Sequence, residues 1–214
     1  KTNFRPSKIN FNGEGNYSFD DLNLSKIRID SGFNKDLINL KLDFDYKKDI
    51  RLEIINYKKP KNSVANFYIE LEKKKDNILI DRLKFKEGIN SIKVNGVEFQ
   101  KNKFLSFEKI EVSTSNNNFS IKKDKKILIE GEKFDATNLA KFLRNQTNNN
   151  NFKTLNSNVE INFKNVKAPM SENLENFKLL GKIQKGQFVK ISSKGDFGGN
   201  NFLDISMKKN ENKD

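Results

Sequence analysis

Two short motifs in this sequence resemble parts of nucleotide-handling sites. Asp196-Phe197-Gly198 spells the metal-binding tripeptide of protein kinases, but the chain has no Gly-rich loop, no strand lysine in the right context and no His-Arg-Asp loop. Gly13-Glu14-Gly15 lacks the third glycine and the strand-then-helix context of a pyrophosphate-binding loop. We therefore assign no kinase role to the first motif, and we predict a turn at the second.

Neighbouring carboxylates are the other candidates for chemistry. Asp20-Asp21 and the pair Asp43 and Asp45 could act as an acid–base pair or bind a hard cation. Asp43 and Asp45, however, alternate onto the same strand face as nearby lysines, which favours a solvated charge ladder. We predict no catalytic residue, no metal site and no cofactor, and we expect a protein that is not an enzyme.

Composition excludes further classes of chemistry. The 214 residues include no His and no Cys, which excludes disulfides, catalytic cysteines, Ser-His relays and zinc sites built on these ligands. Lys+Arg number 41 against 28 Asp+Glu, for a formal charge of +13. Only five residues are Arg and 33 are Asn, a bias towards A/T-rich codons that accounts for part of the charge.

The start of the chain predicts a piece of a longer protein. Lys1 is not an initiator Met, and the first residues have no charged-then-apolar signal pattern. No apolar run approaches the roughly 20 residues that a membrane-spanning helix needs. We expect any inner-membrane anchor or targeting signal to lie outside this segment.

Apolar residues recur with a period of two along most of the chain, which is typical of strands with one apolar face. Residues 37–44, 50–54 and 67–71 are the clearest strand-like runs. In the run at 78–85 the apolar positions change parity near Asp81 and Arg82, which predicts a β-bulge or tight bend. Further short runs lie at 105–112, 119–121, 127–129, 159–166, 177–183, 188–193 and 202–207.

Asn95-Gly96 is the strongest local turn signal. A type I′ turn here would pair Val94 with Val97 and Ile92 with Phe99 in a hairpin. Taken with the other runs, this predicts a mainly β fold, a long antiparallel meander.

One segment departs from the strand pattern. Ala136, Leu139, Ala140 and Leu143 have helical spacing after a plausible N-cap at Asp135, which predicts one short amphipathic helix near 135–144. The Asn-rich run at 146–151 behind it predicts a mobile loop. We therefore divide the chain into a β-meander at 1–126 and a strand-helix-strand meander at 127–214. We expect the second part to continue the sheet of the first, and with it any groove that this sheet forms.

The sequence predicts too little helix to cover the apolar faces of these strands. About twelve strands at 4.8 Å spacing would span roughly 60 Å, whereas a ten-residue helix is about 15 Å long. The sheet could fold into a sandwich, close on itself, or curl into an open groove (a β-taco) whose interior is used. For the groove, strand parity predicts the inward residues Ile38, Leu40, Leu42, Phe44, Ile50, Leu52, Ile54, Phe67, Ile69, Leu71, Ile92, Val94, Val97 and Phe99.

The second half of the chain resembles a known family. Residues 129–143 read as a strand ending near Gly131, followed by an aromatic-Asp step into a helix, and strand-like runs follow at 159–163, 174–179, 186–195 and 196–206. This order is similar to a region of the large AsmA-like proteins of Gram-negative bacteria, particularly the alphaproteobacterial type. It covers about residues 127–207.

That resemblance implies a function as well as a fold. AsmA-like proteins are anchored in the inner membrane and extend through the periplasm, and they support outer-membrane biogenesis by lipid transport. The resemblance thus implies that a β-sheet groove here shields the acyl chains of phospholipid, the expected partner, without catalysis.

Two other classes remain open. A closed β-sandwich used as a structural or adhesion domain would need no ligand on its apolar face. A Lys-rich nucleic-acid binder would use phosphate contacts and base stacking. Scarce Arg, lysines scattered among carboxylates, and Phe residues on the apolar side of the strands all weigh against nucleic acid.

Overall fold

The computed structural model describes residues 8–18, 24–139, 141, 155–169 and 173–209. The predicted fold class is confirmed: the chain is mainly β, with 14 strands in a large mixed sheet, two short strands in a second sheet and almost no helix among these residues. The strands are β1 (Ile9–Tyr17), β2 (Ser25–Asn34), β3 (Leu37–Tyr46), β4 (Ile50–Leu52), β5 (Tyr57–Lys59), β6 (Ala65–Lys74), β7 (Asn77–Glu87), β8 (Asn90–Gln100), β9 (Lys103–Ser106), β10 (Lys109–Ser113), β11 (Asn118–Lys123), β12 (Ile127–Asp135), β13 (Ser157–Lys167), β14 (Asn173–Gln184), β15 (Gln187–Gly198) and β16 (Asn201–Lys208).

The chain divides into two compact units. The first comprises Lys1–Asp49 and Lys59–Phe107, and the second comprises Ile50–Lys58 and Glu108–Asp214. In the first unit the strands run in the order β1-β2-β3-β6-β7-β8, all antiparallel, with β9 paired to β8. In the second the order is β10 to β16 along the chain. The predicted boundary after residue 126 stays a prediction.

The second unit contains one exception to the antiparallel meander. β12 and β13 are parallel, with Ile127 opposite Val159 and Gly131 opposite Phe163. A parallel pair needs a crossover that returns the chain to the starting end, and residues 136–156 make that connection here.

The predicted helix falls within this crossover. Leu139 and Lys141 are helical, while residues 140 and 142–144, and the Asn-rich run at 146–151, lie outside the described residues. Asp135 Oδ1 accepts a hydrogen bond from the backbone N–H of Thr137 at 3.0 Å, as an N-cap side chain does.

The predicted hairpin at Asn95-Gly96 is wrong. β8 runs through this dipeptide without turning, and Val94 faces Leu83 of β7 while Val97 faces Ile80. Gly96 has φ +64° and is buried, so the glycine provides a left-handed backbone residue inside a strand. The Asn-Gly dipeptide, which is typical of a hairpin turn, thus marks an irregular position within a continuous strand.

The predicted bulge near Asp81 is confirmed. β6 and β7 change register between Glu70 and Leu71, which face Arg82 and Ile80, so Asp81 is the extra residue. Ile80 and Leu83 are three residues apart, so regular alternation would place them on opposite faces of the sheet. The bulge keeps them on the same face.

Three other expectations need correction. The run at 50–54 is not one strand, because β4 ends at Leu52 and a 3-10 helix occupies Glu53–Ile55. The run at 105–112 is divided between β9 and β10. The sequence Gly13-Glu14-Gly15 lies inside β1 rather than in a turn. β1 and β2 were not predicted. In β1, Gly13 and Gly15 occupy positions where apolar residues would have marked a strand, and in β2 the alternation is short because Ser25 and Ser31 flank Ile27 and Ile29.

Several hairpin turns use lysine where glycine is the usual signal. Lys35, Lys75, Lys101 and Lys185 have φ between +48° and +54°, a conformation that costs a non-glycine residue roughly 1–2 kcal/mol. Turn prediction from Gly and Asn therefore finds only some of these hairpins.

The two units differ in how much apolar surface they bury. The second has a core of side chains at most 8% exposed. Two of them, Phe119 and Phe163, pack with the half-buried Phe134, and the three ring centroids lie 5.4–5.7 Å apart. The core contains Ile55, Tyr57, Val112, Phe119, Ile127, Ala136, Val159, Phe163, Val166 and Leu174. In the first unit only Ala65 and Phe85 are comparably buried among the described hydrophobic residues.

Candidate apolar binding face

Cross-strand pairing brings most of the predicted inward residues onto one side of the first unit's sheet, here called the apolar face. Residues directly opposite on antiparallel strands project to the same side. Three rows cross β3, β6, β7 and β8 in register. These are Phe44–Phe67–Phe85–Ile92, Leu42–Ile69–Leu83–Val94 and Leu40–Leu71–Ile80–Val97.

A fourth row completes the predicted set on this face. Ile38 of β3 faces Lys73 of β6, which faces Ile78 of β7 and then Phe99 of β8. Sequence reasoning did not assign Ile27 and Ile29 of β2, which face Phe44 and Leu42. Their alternation was visible in the sequence, but only strand pairing shows that they extend the same face.

Three predicted residues are not part of this face. Ile50, Leu52 and Ile54 belong to the second unit. Ile50 and Leu52 lie on the short strand β4, and Ile54 is 43% exposed on the 3-10 helix. Parity along a single presumed strand could not show that β4 pairs with β5 in a separate sheet, or that a 3-10 turn begins at Glu53.

The apolar face is only half-buried. Every predicted residue on it has intermediate exposure, and Phe85, 4% exposed, is the one fully buried side chain of the four rows. From Ile38 to Phe44 the face extends about 20 Å along the strands, and about 14 Å across the four strands. A hydrophobic surface of this size is therefore accessible from solvent.

One end of the apolar face is aromatic. The Phe44 and Phe67 rings stack with centroids 5.3 Å apart and an interplanar angle of 11°, and Phe85 follows at 5.2 Å from Phe67. Tyr46 and Tyr17 add edge contacts to this group at 5.9 and 6.0 Å. The Tyr17 hydroxyl donates to the backbone carbonyl of Asp45, and burial raises the pKa of Tyr17. Such stacked and edge contacts stabilise the aromatic end of the face.

The opposite side of the same sheet is polar. Lys41 Nζ lies 3.0 Å from a Glu70 oxygen, and Tyr68 donates to Glu70 at 3.1 Å. The hydrogen bond from Lys41 and that from Tyr68 hold the pKa of Glu70 below its ordinary value. Lys84 lies 5.7 Å from the Tyr68 ring centroid. These contacts agree with the predicted ladder of solvated charges. The charged side chains lie on the side of the sheet opposite the apolar face.

The other motifs occupy ordinary structural positions. Asp196 accepts a hydrogen bond from the Gly198 N–H at 2.6 Å where β15 approaches the hairpin to β16. Asp43 receives a hydrogen bond from Asn66 at 2.7 Å. Asp20-Asp21 lies outside the described residues. In the part of the chain that the structure describes, no group of three acidic side chains could hold a metal ion.

A buried polar network in the second unit was missed by sequence reasoning. Asn117 is fully buried and donates to the Ile55 carbonyl at 2.7 Å, and its side-chain oxygen accepts from the Asp135 N–H at 2.9 Å. Asn56 donates to Asp135 Oδ2 at 3.0 Å. Burial alone would raise the pKa of Asp135, but hydrogen bonds from Thr137 and Asn56 outweigh it and lower the pKa.

This network positions the 3-10 segment and does not resemble an acid–base site. Both Asp135 oxygens are engaged, one by Thr137 and one by Asn56. A cavity of about 190 Å³ adjoins Asn56 and Asn138, lined mostly by charged and amide side chains of residues 51–58. Its small size and polar lining suit water better than a drug-sized ligand.

Lys59 is a second buried polar group that the sequence did not single out. It is 0% exposed, and its ammonium donates to the carbonyls of Lys48, Pro60 and Ser63 at 2.6–3.0 Å and to that of Lys47 at 3.2 Å. Burial lowers the pKa of Lys59, against the raising effect of Glu87 and Asp49. The Lys59 side chain therefore joins the chain segments between β3 and β6 through hydrogen bonds to their backbone carbonyls.

No helix among the described residues has the length and hydropathy to cross a membrane. In comparisons with known proteins, no family model, no curated protein and no solved structure matches this chain. The apolar face itself is therefore the feature of this chain that bears on its function.

Proposed function

We propose that this chain is a non-enzymatic lipid-binding segment that shields phospholipid acyl chains on the apolar face of the first unit. The observation that carries the proposal is the half-exposed face, on which eleven sequence-predicted residues of β3, β6 and β8 are in register across β7. The resemblance to AsmA-like proteins extends the proposal to lipid transport between the inner and outer membranes, within the periplasm of a Gram-negative bacterium.

The dimensions support an acyl chain as the occupant. One leaflet of a bilayer's hydrocarbon core is about 15 Å thick, and the face extends about 20 Å along its strands. Each methylene kept from water contributes about 0.8 kcal/mol. A continuous apolar surface would thus lower the free energy of an acyl chain in an aqueous compartment, without any catalytic group.

Native mass spectrometry of the purified chain, with lipid extraction and a delipidated reference, tests this proposal. We expect phospholipid to co-purify with the wild type and to be lost from Leu40→Glu. Leu40 is only half-buried, so the substitution should reduce lipid binding more than it reduces folding stability.

Ser91→Glu is the matched control. Ser91 lies on the polar side of β8 opposite Lys86, and its substitution changes the net charge by the same amount. Lipid retention in this variant is expected to equal that of the wild type. A lipid-free wild type with a compact, cooperative unfolding transition would instead favour the structural or adhesion domain and would refute lipid binding.

A further inference from the structure

The apolar face ends in a basic rim on the side away from its aromatic end. The hairpins β2–β3, β6–β7 and β8–β9 all turn at this end, since Leu37 faces Lys74, Asn77 faces Gln100, and Gln100 faces Lys103. The basic rim is defined here as the exposed side chains of Lys35, Lys73, Lys74, Lys75, Lys101 and Lys103. Asp36 and Asp76 are the acidic residues of the same turns.

Lys73 differs from the other rim residues because it lies on the apolar face itself. Its neighbours in the row are Ile38 and Ile78, and the preceding residue on the same side of β6 is Leu71. A cation at the end of a hydrophobic surface can keep its charged group in water while its methylenes lie along the apolar side chains. The face is therefore amphipathic along its length.

The rim lysines also differ from six other lysines of the described residues in their partners. Lys41, Lys109, Lys122, Lys126, Lys164 and Lys194 each form an ion pair with a carboxylate. Within the described residues, the side chain of none of the six rim lysines forms an ion pair or a hydrogen bond, although the backbone N–H of Lys101 donates to the Asp76 carbonyl at 3.0 Å. The positive charge of the rim is not balanced by neighbouring side chains beyond its two aspartates.

We infer that the basic rim binds the phosphate-bearing headgroup of an anionic phospholipid whose acyl chain lies on the apolar face, with its tail towards Phe85. This inference rests on the proposed function and adds the lipid class and its orientation. Charge complementarity selects an anionic headgroup over a zwitterionic one, and Lys73 is the residue closest to the junction of headgroup and chain.

The experiment uses the full chain, delipidated and titrated by native mass spectrometry with phosphatidylglycerol or phosphatidylcholine of identical acyl chains. We expect tighter binding of phosphatidylglycerol, a preference that declines as salt is added. In the double variant Lys73→Gln/Lys75→Gln the preference should fall by about fivefold per lysine, because a lysine near an anionic surface contributes about 1 kcal/mol. Phosphatidylcholine binding should be unchanged in that variant.

Lys86→Gln/Lys93→Gln is the control, since these lysines lie on the polar side of β7 and β8. An equal loss of preference in the control, or equal binding of the two lipids by the wild type, would overturn the inference while leaving lipid binding intact. Competition by inorganic phosphate at the same concentration as the lipid would also overturn it, because a free anion would then be the ligand. Failure to bind either lipid would refute the proposed function as well.

Discussion

At the scale of single residues, buried polar side chains do most to stabilise particular loops. Lys59 and Asp135 are almost completely inaccessible to solvent. Lys59 donates to carbonyls of the chain segments on either side of β4 and β5, and Asp135 accepts from Asn56, which is distant in sequence. Neither stands out in a chain so rich in lysine and aspartate. Their burial depends on tertiary contacts, and burial makes their hydrogen bonds costly to remove.

Replacing Lys59 with Met should destabilise the first unit by at least about 2 kcal/mol, since unsatisfied buried carbonyls cost about 1–3 kcal/mol each. Urea unfolding measures the difference. Lys58→Met changes an exposed neighbour and should remain within about 0.5 kcal/mol of the wild type. Equal stability of all three proteins would show that the carbonyls find other partners.

Replacing Asp135 with Asn should make stability less sensitive to acid. The folded-state pKa is lowered, so the carboxylate stabilises the fold above the unfolded-state pKa of about 3.9 and this contribution is lost as the pH falls through the folded-state value. Urea unfolding at neutral and acidic pH should show a large difference between wild type and variant at neutral pH and a smaller one in acid.

Asp124→Asn is the control for this pH dependence, because Asp124 is exposed in the β11–β12 turn. Its unfolding should follow the wild type at every pH. A constant difference between Asp135→Asn and the wild type would mean that the carboxylate remains charged, or neutral, throughout the range.

At the scale of elements, the strands deviate from regular geometry where small residues or bulges allow it. Asp81 confirms that a change of parity in the sequence can locate a bulge. Gly96 shows the reverse case, in which a strong hairpin signal lies within a strand. Local sequence shows that a glycine is needed at such a position, but the partner strand decides whether the chain turns there.

Gly131→Ala should weaken the pairing of β11 with β12. A Cβ at this position would lie 2.3 Å from the Asn118 carbonyl oxygen and 2.5 Å from Phe119 Cβ, where the register shifts. The backbone must move, at a cost of about 1–3 kcal/mol. Thermal or urea unfolding measures this loss.

Gly15→Ala provides the comparison, since no heavy atom lies within 4 Å of a Cβ built there. Its stability should be equal to or slightly above that of the wild type, because alanine restricts the unfolded chain. If both substitutions cost the same, the tight approach at Gly131 would not be the cause.

At the scale of the whole molecule, the two units bury apolar surface to different extents. The second has a core of aromatic and aliphatic side chains around Phe163, whereas the apolar face of the first is half-exposed along four strands. Regions with less buried apolar surface open more readily. A ligand that binds only the folded form raises stability by mass action.

Hydrogen exchange should therefore show weaker protection of β6 and β7 than of β12 and β13 in the delipidated chain. Adding phosphatidylglycerol should raise protection in β6 and β7 and leave β12 and β13 nearly unchanged. Mass spectrometry of peptides from these strands measures both effects. Equal protection of the two units before lipid is added would contradict the prediction.

Period-two alternation determined by itself that this chain is a β protein and which residues of β3 and β6 share a face. These are local properties, since side chains alternate along any extended strand. The same logic failed at Ile50, Leu52 and Ile54, because β4 pairs with β5 in a separate sheet and a 3-10 turn follows it, and no local signal marks either feature.

Only the tertiary structure decided strand partners, the parallel β12–β13 pair and the burial of Lys59 and Asp135. It also gathered six lysines from three separate turns at one end of the apolar face. Each of these depends on contacts between residues far apart in sequence, whose free energy is realised only when the strands pair. Composition supplied the lysines, and antiparallel pairing brought their turns together.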